Sequence, residues 1–318
     1  MIPAIDPTPS PARRAVGDRE EAVLQMSDHD RRPGAVWALP AFLFFAAFAV
    51  LPMVLVLVLS FTSWNGLGDP QPAGMENCQR LAKDDELVAS LWRTLLVMVA
   101  SWALQTPIAL GIGVWAAGKQ RNRAVLSALF FVPLLLSTPA IALMWRTFLD
   151  ASFGLPNALR GVLGDNTNLL GNPDLAIWIA VFVMSWQWIP FHTLLYQGAA
   201  RGVPVVLYEA SVIDGAGRWR QFWSITLPQL RYTIVTSTIL MLVGSVTTFD
   251  AILVLTEGGP GTATRILPLH MYFMGFTGYE MGYASAVAVL IVVLGTAMSL
   301  AAVRLSGFRA MQSQSEGL

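Results

Sequence analysis

The chain has 318 residues, of which 55% are hydrophobic and only 13% are charged. A soluble domain carries about 25% charged residues, so this chain has too few polar side chains to cover a surface in water. A lipid bilayer is the solvent that fits this composition. The 20 basic and 20 acidic residues cancel, which gives no reason to expect nucleic acid as a partner. The one cysteine, Cys78, cannot form an internal disulfide, and the separated histidines His29, His192 and His270 match no zinc motif, so no metal site is predicted.

The N-terminal segment, residues 1–35, is polar and has no apolar periodicity, which predicts a disordered tail. The first long apolar run covers residues 36–61, and its prolines are tolerated in membrane-spanning helices. A cleaved signal peptide is the alternative for this run. The run continues well past the candidate cleavage site at Ala47-Phe48-Ala49, which favours a spanning helix.

Five more apolar runs have the length needed to cross a bilayer. Together with the first run they predict an all-α membrane protein with six transmembrane helices, followed by a short tail at 306–318. The predicted spans are residues 36–61, 91–117, 124–148, 175–198, 232–256 and 283–304.

The distribution of Lys and Arg predicts the orientation in the membrane. The two termini, the loops after the second and fourth spans and the span ends beside them carry 14 of the 20 basic residues, whereas the three remaining loops and the span ends beside them carry six. Because cytoplasmic loops are enriched in Lys and Arg, both termini are predicted to be cytoplasmic. The remaining loops, at 62–90, 149–174 and 257–282, are rich in turn-forming residues and are predicted to lie outside.

The loop at residues 201–231 is too long and too apolar for a simple connector. Pro204 followed by apolar residues at helical spacing predicts a first short helix. Gly215 and Gly217 interrupt it, and a second short helix is predicted from Arg218 to Ile225. Two interpretations follow from the residues alone. The pair is either a docking element for a partner protein or an amphipathic segment lying on lipid headgroups.

Fixed spacings in this loop point to a family. Glu209-Ala210-Ser211, Gly215, Ile225 and Leu227-Pro228 follow the pattern EAA-x3-G-x9-I-x-LP, with Ser211 as the one departure. This string resembles the EAA loop of permease subunits of bacterial ATP-binding-cassette (ABC) importers. The aspartate before the glycine, in Asp214-Gly215-Ala216-Gly217, resembles the carbohydrate branch, which includes the maltose and glycerol-phosphate permeases.

The resemblance implies a type I importer permease fold and a transport subunit without catalytic residues. In this family the EAA loop forms a coupling helix that sits in a cleft of a cytoplasmic ATPase dimer, which binds ATP and Mg²⁺, while the permease binds no cofactor. An extracytoplasmic binding protein delivers the sugar, and a second permease subunit completes the pathway across the cytoplasmic membrane. The residues implied in ATPase coupling are Glu209, Ala210, Ser211, Asp214, Gly215, Ala216, Gly217, Ile225, Leu227 and Pro228.

Residues 113–119 match most of a nucleotide-binding P-loop, from Gly113 to Gly118-Lys119. A P-loop follows a strand and opens a helix, whereas these residues end a predicted span. Gln120 also stands where the magnesium-binding Ser or Thr is needed. Lys119 is better explained as a cytoplasmic anchor of the second span.

Candidate substrate contacts lie within or near the ends of the spans. Asp250 is the clearest ionisable residue in a span, and such residues are usually functional. Trp188 and His192 are four residues apart and share a helix face, where an indole would fit a sugar ring. Trp145 and Phe249 are further candidates. Core packing, or hydrogen bonding at a helix end in the case of Asp250, is the competing interpretation for each of them.

Three other functions fit less well. A membrane enzyme would need a metal cluster or a nucleophile motif, and a stand-alone secondary transporter would need internal symmetry and would not explain the loop at 201–231. A phosphorylated polyol such as glycerol 3-phosphate is an alternative substrate. It would require strong cationic contacts, and no Lys or Arg lies in the middle of a predicted span.

Overall fold

A computed structural model of the chain describes residues 35–118, 130–159, 161 and 168–305. The predicted N-terminal tail apart from Ala35, the predicted C-terminal tail, the loop at 119–123 and the first residues of the predicted third span lie outside the described residues. The chain divides into two compact units, residues 1–55 and 56–318.

The described residues are mostly helical, with one short antiparallel hairpin in which Thr62–Ser63 (β1) pairs with Gln71–Pro72 (β2). The helices are α1 Leu39–Leu59, α2 Glu76–Leu81, α3 Asp85–Ala116, α4 Val132–Leu135, α5 Thr138–Phe148, α6 Leu155–Ala158, α7 Pro173–Arg201, α8 Val205–Ile213, α9 Arg218–Gln229, α10 Arg231–Thr247, α11 Asp250–Thr256, α12 Leu267–Tyr272 and α13 Met281–Leu305. Helix α12 continues as a π-helical turn, Phe273–Thr277.

Four of the described helices, α1, α3, α7 and α13, are long and apolar enough to cross a membrane. Helices α9 and α10 form a fifth candidate, bent by 67° between them. The predicted third span is described only from residue 130 onward, as α4 and α5. The chain is therefore a multi-pass membrane protein by helix length and composition, and the count of six spans remains a prediction.

Helix α1 has no buried residue between Leu39 and Leu59. Its side chains are almost all large and apolar, including Phe42, Phe44 and Phe48. Such a surface is costly in water and favourable in a hydrocarbon environment. The first predicted span therefore has the surface of a membrane helix.

Helices α3 and α7 form the most extensive helix pair in the second unit. They approach closely at Gly113, where an added Cβ atom would lie 2.8 Å from Tyr196 Cβ and 2.9 Å from the Thr193 carbonyl oxygen. Only glycine fits that spacing, as is common where membrane helices pack. The P-loop-like string thus begins inside a packed helix that runs to Ala116, while its lysine lies outside the described residues.

The predicted fifth span, 232–256, is not one continuous helix. Helix α10 ends at Thr247 and α11 begins at Asp250. Between them Phe249 adopts φ −138° and ψ −51°, and its ring lies 5.0 Å from that of Tyr272. The Thr248 amide and hydroxyl both donate to the Gly244 carbonyl at the end of α10. No glycine or proline lies between α10 and α11, and Phe249 packs there against a distant segment.

The segment 257–282, predicted to form turns outside the membrane, contains the buried helix α12. Leu267 and Leu269 are fully buried, and so is the preceding residue Ile266. The segment is tied to α3, because the Leu267 amide donates to the Thr94 hydroxyl and Arg93 donates to the Thr262 hydroxyl. The prediction of turns is therefore wrong for residues 267–277, which are helical. Pro268 stands in the first turn of α12, where a proline fits a helix.

Candidate functional site

The loop between α7 and α10 forms two helices, as its sequence predicts. Helix α8 ends at Ile213, the chain reverses at Gly215 with φ +72°, and α9 begins at Arg218. That φ value is in the left-handed region, which glycine adopts with little strain. The second helix extends beyond the predicted end at Ile225, through a π-helical turn to Gln229. Its end therefore contains the Leu227-Pro228 pair.

Two hydrogen bonds between side chains connect α8 to α9. The hydroxyls of Tyr208 and Thr226 lie 2.9 Å apart. The Gln221 amide donates to the Ser211 hydroxyl over 3.0 Å, and this hydroxyl donates to the Tyr208 carbonyl over 2.7 Å. Ser211 is thus half-buried inside the helix pair, whereas Ala210 is exposed. Of these two small residues, only Ala210 is placed to contact a partner directly.

A buried apolar cluster connects the helix pair α8 and α9 to the long helices α3 and α7. Its core includes residues from α3 and α7, and partly buried residues of α8 and α9 pack against it. The fully buried Leu230, at the junction with α10, belongs to the same core. A displacement of α8 would therefore be transmitted to the spans. The residues of the loop that pack on this cluster are Tyr208, Phe222, Ile225 and Leu227.

The outer face of α8 is apolar and exposed. Val206, Val212 and Ile213 are 69%, 64% and 87% exposed. The carboxylates of Glu209 and Asp214 are also exposed and have no partner among the described residues. Ala216 and Gly217 complete the turn between the helices, and Gly217 has an ordinary extended backbone. An exposed apolar face with unpaired acids at its edge is typical of a surface that binds another protein.

A cavity of about 440 Å³ lies among α3, α5, α7 and α10 and is bounded at one end by the start of α11. This volume is within the range of small-molecule sites in proteins. The lining residues are mostly hydroxyl-bearing, amide or aromatic. They are Ser101, Gln105, Thr138, Met184, Trp188, Phe191, His192, Leu240, Met241, Gly244, Ser245, Thr247, Thr248 and Asp250.

The cavity brings together three of the five candidate substrate residues. Trp188 and His192 line it from α7, as their spacing predicts, and Asp250 lines it from the start of α11. His192 Nδ1 lies 2.8 Å from the Ser237 hydroxyl, so the imidazole is held in place. The Asp250 carboxylate makes no hydrogen bond or ion pair with any described residue. It is available to a ligand.

The other two candidates, Trp145 and Phe249, do not line this cavity and pack against the main apolar core. The Trp145 ring lies 5.6 Å from Trp186 and 5.2 Å from Phe182, in edge-on contacts. The Phe249 ring contacts Tyr272. The structure places both aromatic residues against the apolar core rather than in this cavity.

A charged cluster that no local sequence pattern predicts lies at the N-terminal end of α3. Asp84 caps this helix by accepting from the Leu87 amide, and it also accepts a hydrogen bond of 2.6 Å from Tyr283. The Nε2 atom of the buried His270 lies 3.5 Å from the same carboxylate. An aspartate directly before a helix is a recognised N-cap signal, so the capping role of Asp84 could be predicted from the sequence. Its partners are nearly 200 residues away and could not be read from local spacing.

Environment shifts the pKa values of two residues of this cluster. Burial alone would raise the pKa of Asp84, but the hydrogen bonds from Tyr283 and Leu87 outweigh it and lower the pKa. Burial lowers the pKa of His270 below its ordinary value of 6.5. The imidazole is therefore neutral near pH 7, and the carboxylate is ionised.

A profile of the family described as "Binding-protein-dependent transport system inner membrane component" matches residues 109–309. The match covers well over half of the chain. The chain belongs to this family. It is a permease, and the matched region contains α8, α9 and most of the cavity.

Named relatives of this permease include sugar-system proteins. It is 32% identical over 240 residues to the trehalose/maltose transport system permease protein MalF of Thermococcus litoralis, covering 74% of this chain and 80% of that protein. It is 30% identical over 275 residues to the multiple sugar-binding transport system permease protein MsmF of Streptococcus mutans, covering 81% and 93%.

Solved structures of ABC transporters have the same fold as the permease. A chain of a bacterial alginate ABC transporter, in complex with a periplasmic protein that holds an alginate pentasaccharide, aligns with a TM-score of 0.75 at 21% identity, covering 92% of this chain and 97% of that chain. A chain of the MetNI methionine ABC transporter aligns with a TM-score of 0.53 at 20% identity, covering 73% and 97%.

Proposed function

We propose that this permease forms part of the pathway by which an ATP-driven importer moves a neutral sugar across the cytoplasmic membrane by alternating access. The observation that carries the proposal is the pair α8 and α9, which presents an exposed apolar face and is anchored on the core of the spanning helices. The sugar systems named for its relatives add support.

In this proposal α8 is the coupling helix and sits in a cleft of a cytoplasmic ATPase. Val206, Val212 and Ile213 supply apolar contact area, while Glu209 and Asp214 fix the register by pairing with basic groups of the ATPase. Movement of the cleft on ATP binding then passes through Tyr208 and Leu230 to the spans. ATP and Mg²⁺ are bound by the ATPase, and this chain binds no cofactor.

The cavity supports a neutral sugar over a phosphorylated polyol. Its hydroxyl and amide groups match the hydrogen-bonding groups of a sugar, and Trp188 offers a flat apolar face. The Asp250 carboxylate accepts hydrogen bonds from sugar hydroxyls and would repel a phosphate. Among the described residues that line the cavity there is no Lys or Arg, whereas phosphate binding needs such groups.

The assembly proposed for transport has further subunits. A second permease completes the pathway, an ATPase dimer drives it, and an extracytoplasmic binding protein delivers the sugar. Both termini of this chain, together with α8 and α9, face the cytoplasm in this arrangement, because the basic residues are concentrated in those segments.

Replacing Ile213 by serine tests the docking role of α8. Burial of an isoleucine side chain contributes about 1.5–3 kcal/mol, so Ile213→Ser should weaken ATPase association by about tenfold or more. The measurement is the amount of ATPase that co-purifies with tagged permease. Leu67→Ser is the matched control, since Leu67 is an exposed apolar residue (75%) in the outer hairpin.

Equal co-purification by Ile213→Ser, Leu67→Ser and the wild type would contradict docking through α8. If the wild-type chain purified without any ATPase, a self-sufficient transporter would become the better interpretation. Uptake of glycerol 3-phosphate in preference to sugars by the intact importer would overturn the assignment of a neutral sugar.

A further inference from the structure

Helix α9 carries an aromatic surface that differs from the docking face of α8. The rings of Trp219, Phe222 and Trp223 contact one another, with centroids 5.4–6.1 Å apart. Phe222 packs against the buried cluster beneath the helix, whereas Trp219 and Trp223 are 74% and 52% exposed. Two exposed indoles on one helix face indicate a binding surface.

Arginines accompany this aromatic surface. Arg218 and Arg220 lie on either side of Trp219 in the sequence, and both are exposed. Neither guanidinium group has an ion pair or a hydrogen bond with a described residue. Residues 218–247 contain no acidic residue that could pair with them. The guanidinium groups of Arg218 and Arg220 are therefore free to bind anions.

The two helices of the loop thus carry opposite charges. Helix α8 and its C-terminal turn contain Glu209 and Asp214 and no basic residue, whereas the charged residues of α9 are all basic. A single partner surface that carries charges of only one sign would repel one of the two helices. The charge pattern therefore favours two different partners for α8 and α9.

The direction of α9 supports a membrane surface as its partner. Helix α10 has 17 residues, which is close to the length needed to cross a bilayer, and α9 is bent away from it by 67°. If α10 crosses the membrane, α9 lies closer to the membrane plane than to the membrane normal. A helix in the interface plane with Trp on one face and Arg beside it is typical of binding to anionic lipid.

We propose that the surface formed by Trp219, Trp223, Arg218 and Arg220 binds anionic phospholipid headgroups of the cytoplasmic leaflet. The indoles lie at the boundary between headgroups and acyl chains, and the guanidinium groups bind phosphate oxygens. This inference rests on the proposed function for the cytoplasmic orientation of the loop. Through the Gln221–Ser211 and Thr226–Tyr208 hydrogen bonds, the bound lipid holds α8 in position for the ATPase.

The first test measures contact with lipid on the permease alone. The protein is placed in nanodiscs that contain brominated phosphatidylglycerol or brominated phosphatidylcholine, and quenching of tryptophan fluorescence is recorded. We expect stronger quenching by the anionic lipid, and we expect Trp219→Phe/Trp223→Phe to abolish the difference. Equal quenching by the two lipids, or a difference that persists in the double variant, overturns the proposal.

The second test uses the complete importer in the same two lipids without bromine. We expect phosphatidylglycerol to raise ATP hydrolysis driven by the loaded binding protein, and we expect Arg218→Gln/Arg220→Gln to remove that increase. Loss of two arginines weakens binding to an anionic surface by about thirtyfold. The matched control, Arg201→Gln/Arg304→Gln, removes two exposed arginines outside α9. Equal losses in both double variants overturn the assignment to α9.

Co-purification in detergent distinguishes a failure of this lipid proposal from a failure of the proposed function. We expect the Arg218→Gln/Arg220→Gln variant to retain its ATPase there, since α8 is unchanged. Loss of the ATPase in that variant would assign the α9 surface to the ATPase and overturn the lipid proposal. Failure of the wild-type chain to hold any ATPase would overturn the proposed function, while the quenching measurement would still decide the lipid contact.

Discussion

Gly215 shows how one backbone angle shapes the turn between α8 and α9. Its φ is +72°, and an added Cβ atom would meet nothing within 4 Å. The requirement for glycine in the chain itself is therefore the left-handed conformation, not crowding. This explains why a glycine stands at the turn between α8 and α9, and it indicates which substitutions the turn tolerates.

We predict that Gly215→Ala impairs coupled transport while membrane insertion stays normal. The left-handed conformation costs an alanine about 1–2 kcal/mol, whereas asparagine tolerates it better. Gly215→Asn should therefore retain more transport than Gly215→Ala, although it is larger. The measurement is sugar uptake by the reconstituted importer, normalised to assembled complex. The reverse order of the two variants would point instead to crowding against the ATPase.

A substitution of Asp250 gives the most direct test of whether the cavity binds substrate. Its carboxylate lines the cavity and has no partner among the described residues. A hydrogen bond to a charged group contributes about 1.5–3 kcal/mol, so Asp250→Asn should reduce uptake at low sugar concentration by about tenfold or more. ATPase co-purification should be unchanged.

Trp145→Phe serves as the control for Asp250→Asn, because Trp145 packs in the core outside the cavity. Both variants are measured for initial uptake over a range of sugar concentrations. Normal uptake by Asp250→Asn across that range would remove this carboxylate from the pathway. It would then be a structural residue at the start of α11.

At the scale of elements, α8 and α9 are held together by two polar contacts across the turn. The Ser211–Gln221 contact uses the one departure of this loop from the family pattern, which has alanine in place of Ser211. A hydrogen bond contributes about 0.5–1.5 kcal/mol to stability. That is enough to bias the angle between two short helices that have few other contacts.

We predict that Ser211→Ala and Gln221→Ala each weaken ATPase association, and that the double variant is no worse than either single one. Such non-additivity is expected when two residues act through one contact. Association is measured by titrating purified ATPase onto the permease in nanodiscs. Effects of the single variants that add in the double variant would show that Ser211 and Gln221 act independently.

Local sequence predicted some elements well and others poorly. Helices α8 and α9 and the turn at Gly215 follow from apolar periodicity and a glycine, which are local signals. The break at Phe249 has no glycine or proline to signal it, and the ring contact of Phe249 with Tyr272 joins residues that are distant in sequence. Of the cavity residues, Trp188 and His192 could be paired from their spacing, whereas their proximity to Asp250 required the packing of α7 with α10 and α11.

At the scale of the whole molecule, contacts between distant segments hold together the end of the helices that the basic residues predict to be the outer end. Asp84 at the start of α3, His270 in α12 and Tyr283 in α13 meet at one carboxylate. Beside them, Arg80 forms an ion pair with Glu280 over 2.7 Å. These contacts, together with the hydrogen bond from the Leu267 amide to the Thr94 hydroxyl, join α3, α12 and α13. The stability of the outer end therefore depends on the charge states of this cluster.

The buried imidazole of His270 predicts a loss of stability at acid pH. Burial lowers its pKa below 6.5, so the unfolded chain binds a proton at a higher pH than the folded chain does. The contribution of His270 to the free energy of unfolding is then fully present above about pH 6.5 and decreases as the pH falls below that value. The nearby carboxylates of Asp84 and Glu86 oppose the shift, and Arg265 adds to it. The carboxylate of Asp84 has a lowered pKa, so its own contribution is lost only at more acid pH.

We predict that His270→Gln reduces the fall in melting temperature between pH 7 and pH 5, because the glutamine takes up no proton in either state. The wild type and the variant are melted in the same nanodiscs at each pH. His29→Gln makes the same substitution in the N-terminal segment and should leave the wild-type fall unchanged. A fall in His270→Gln as large as that of the wild type would mean that another group causes the acid sensitivity. His192 would then be replaced next, because it is the other histidine of the described residues.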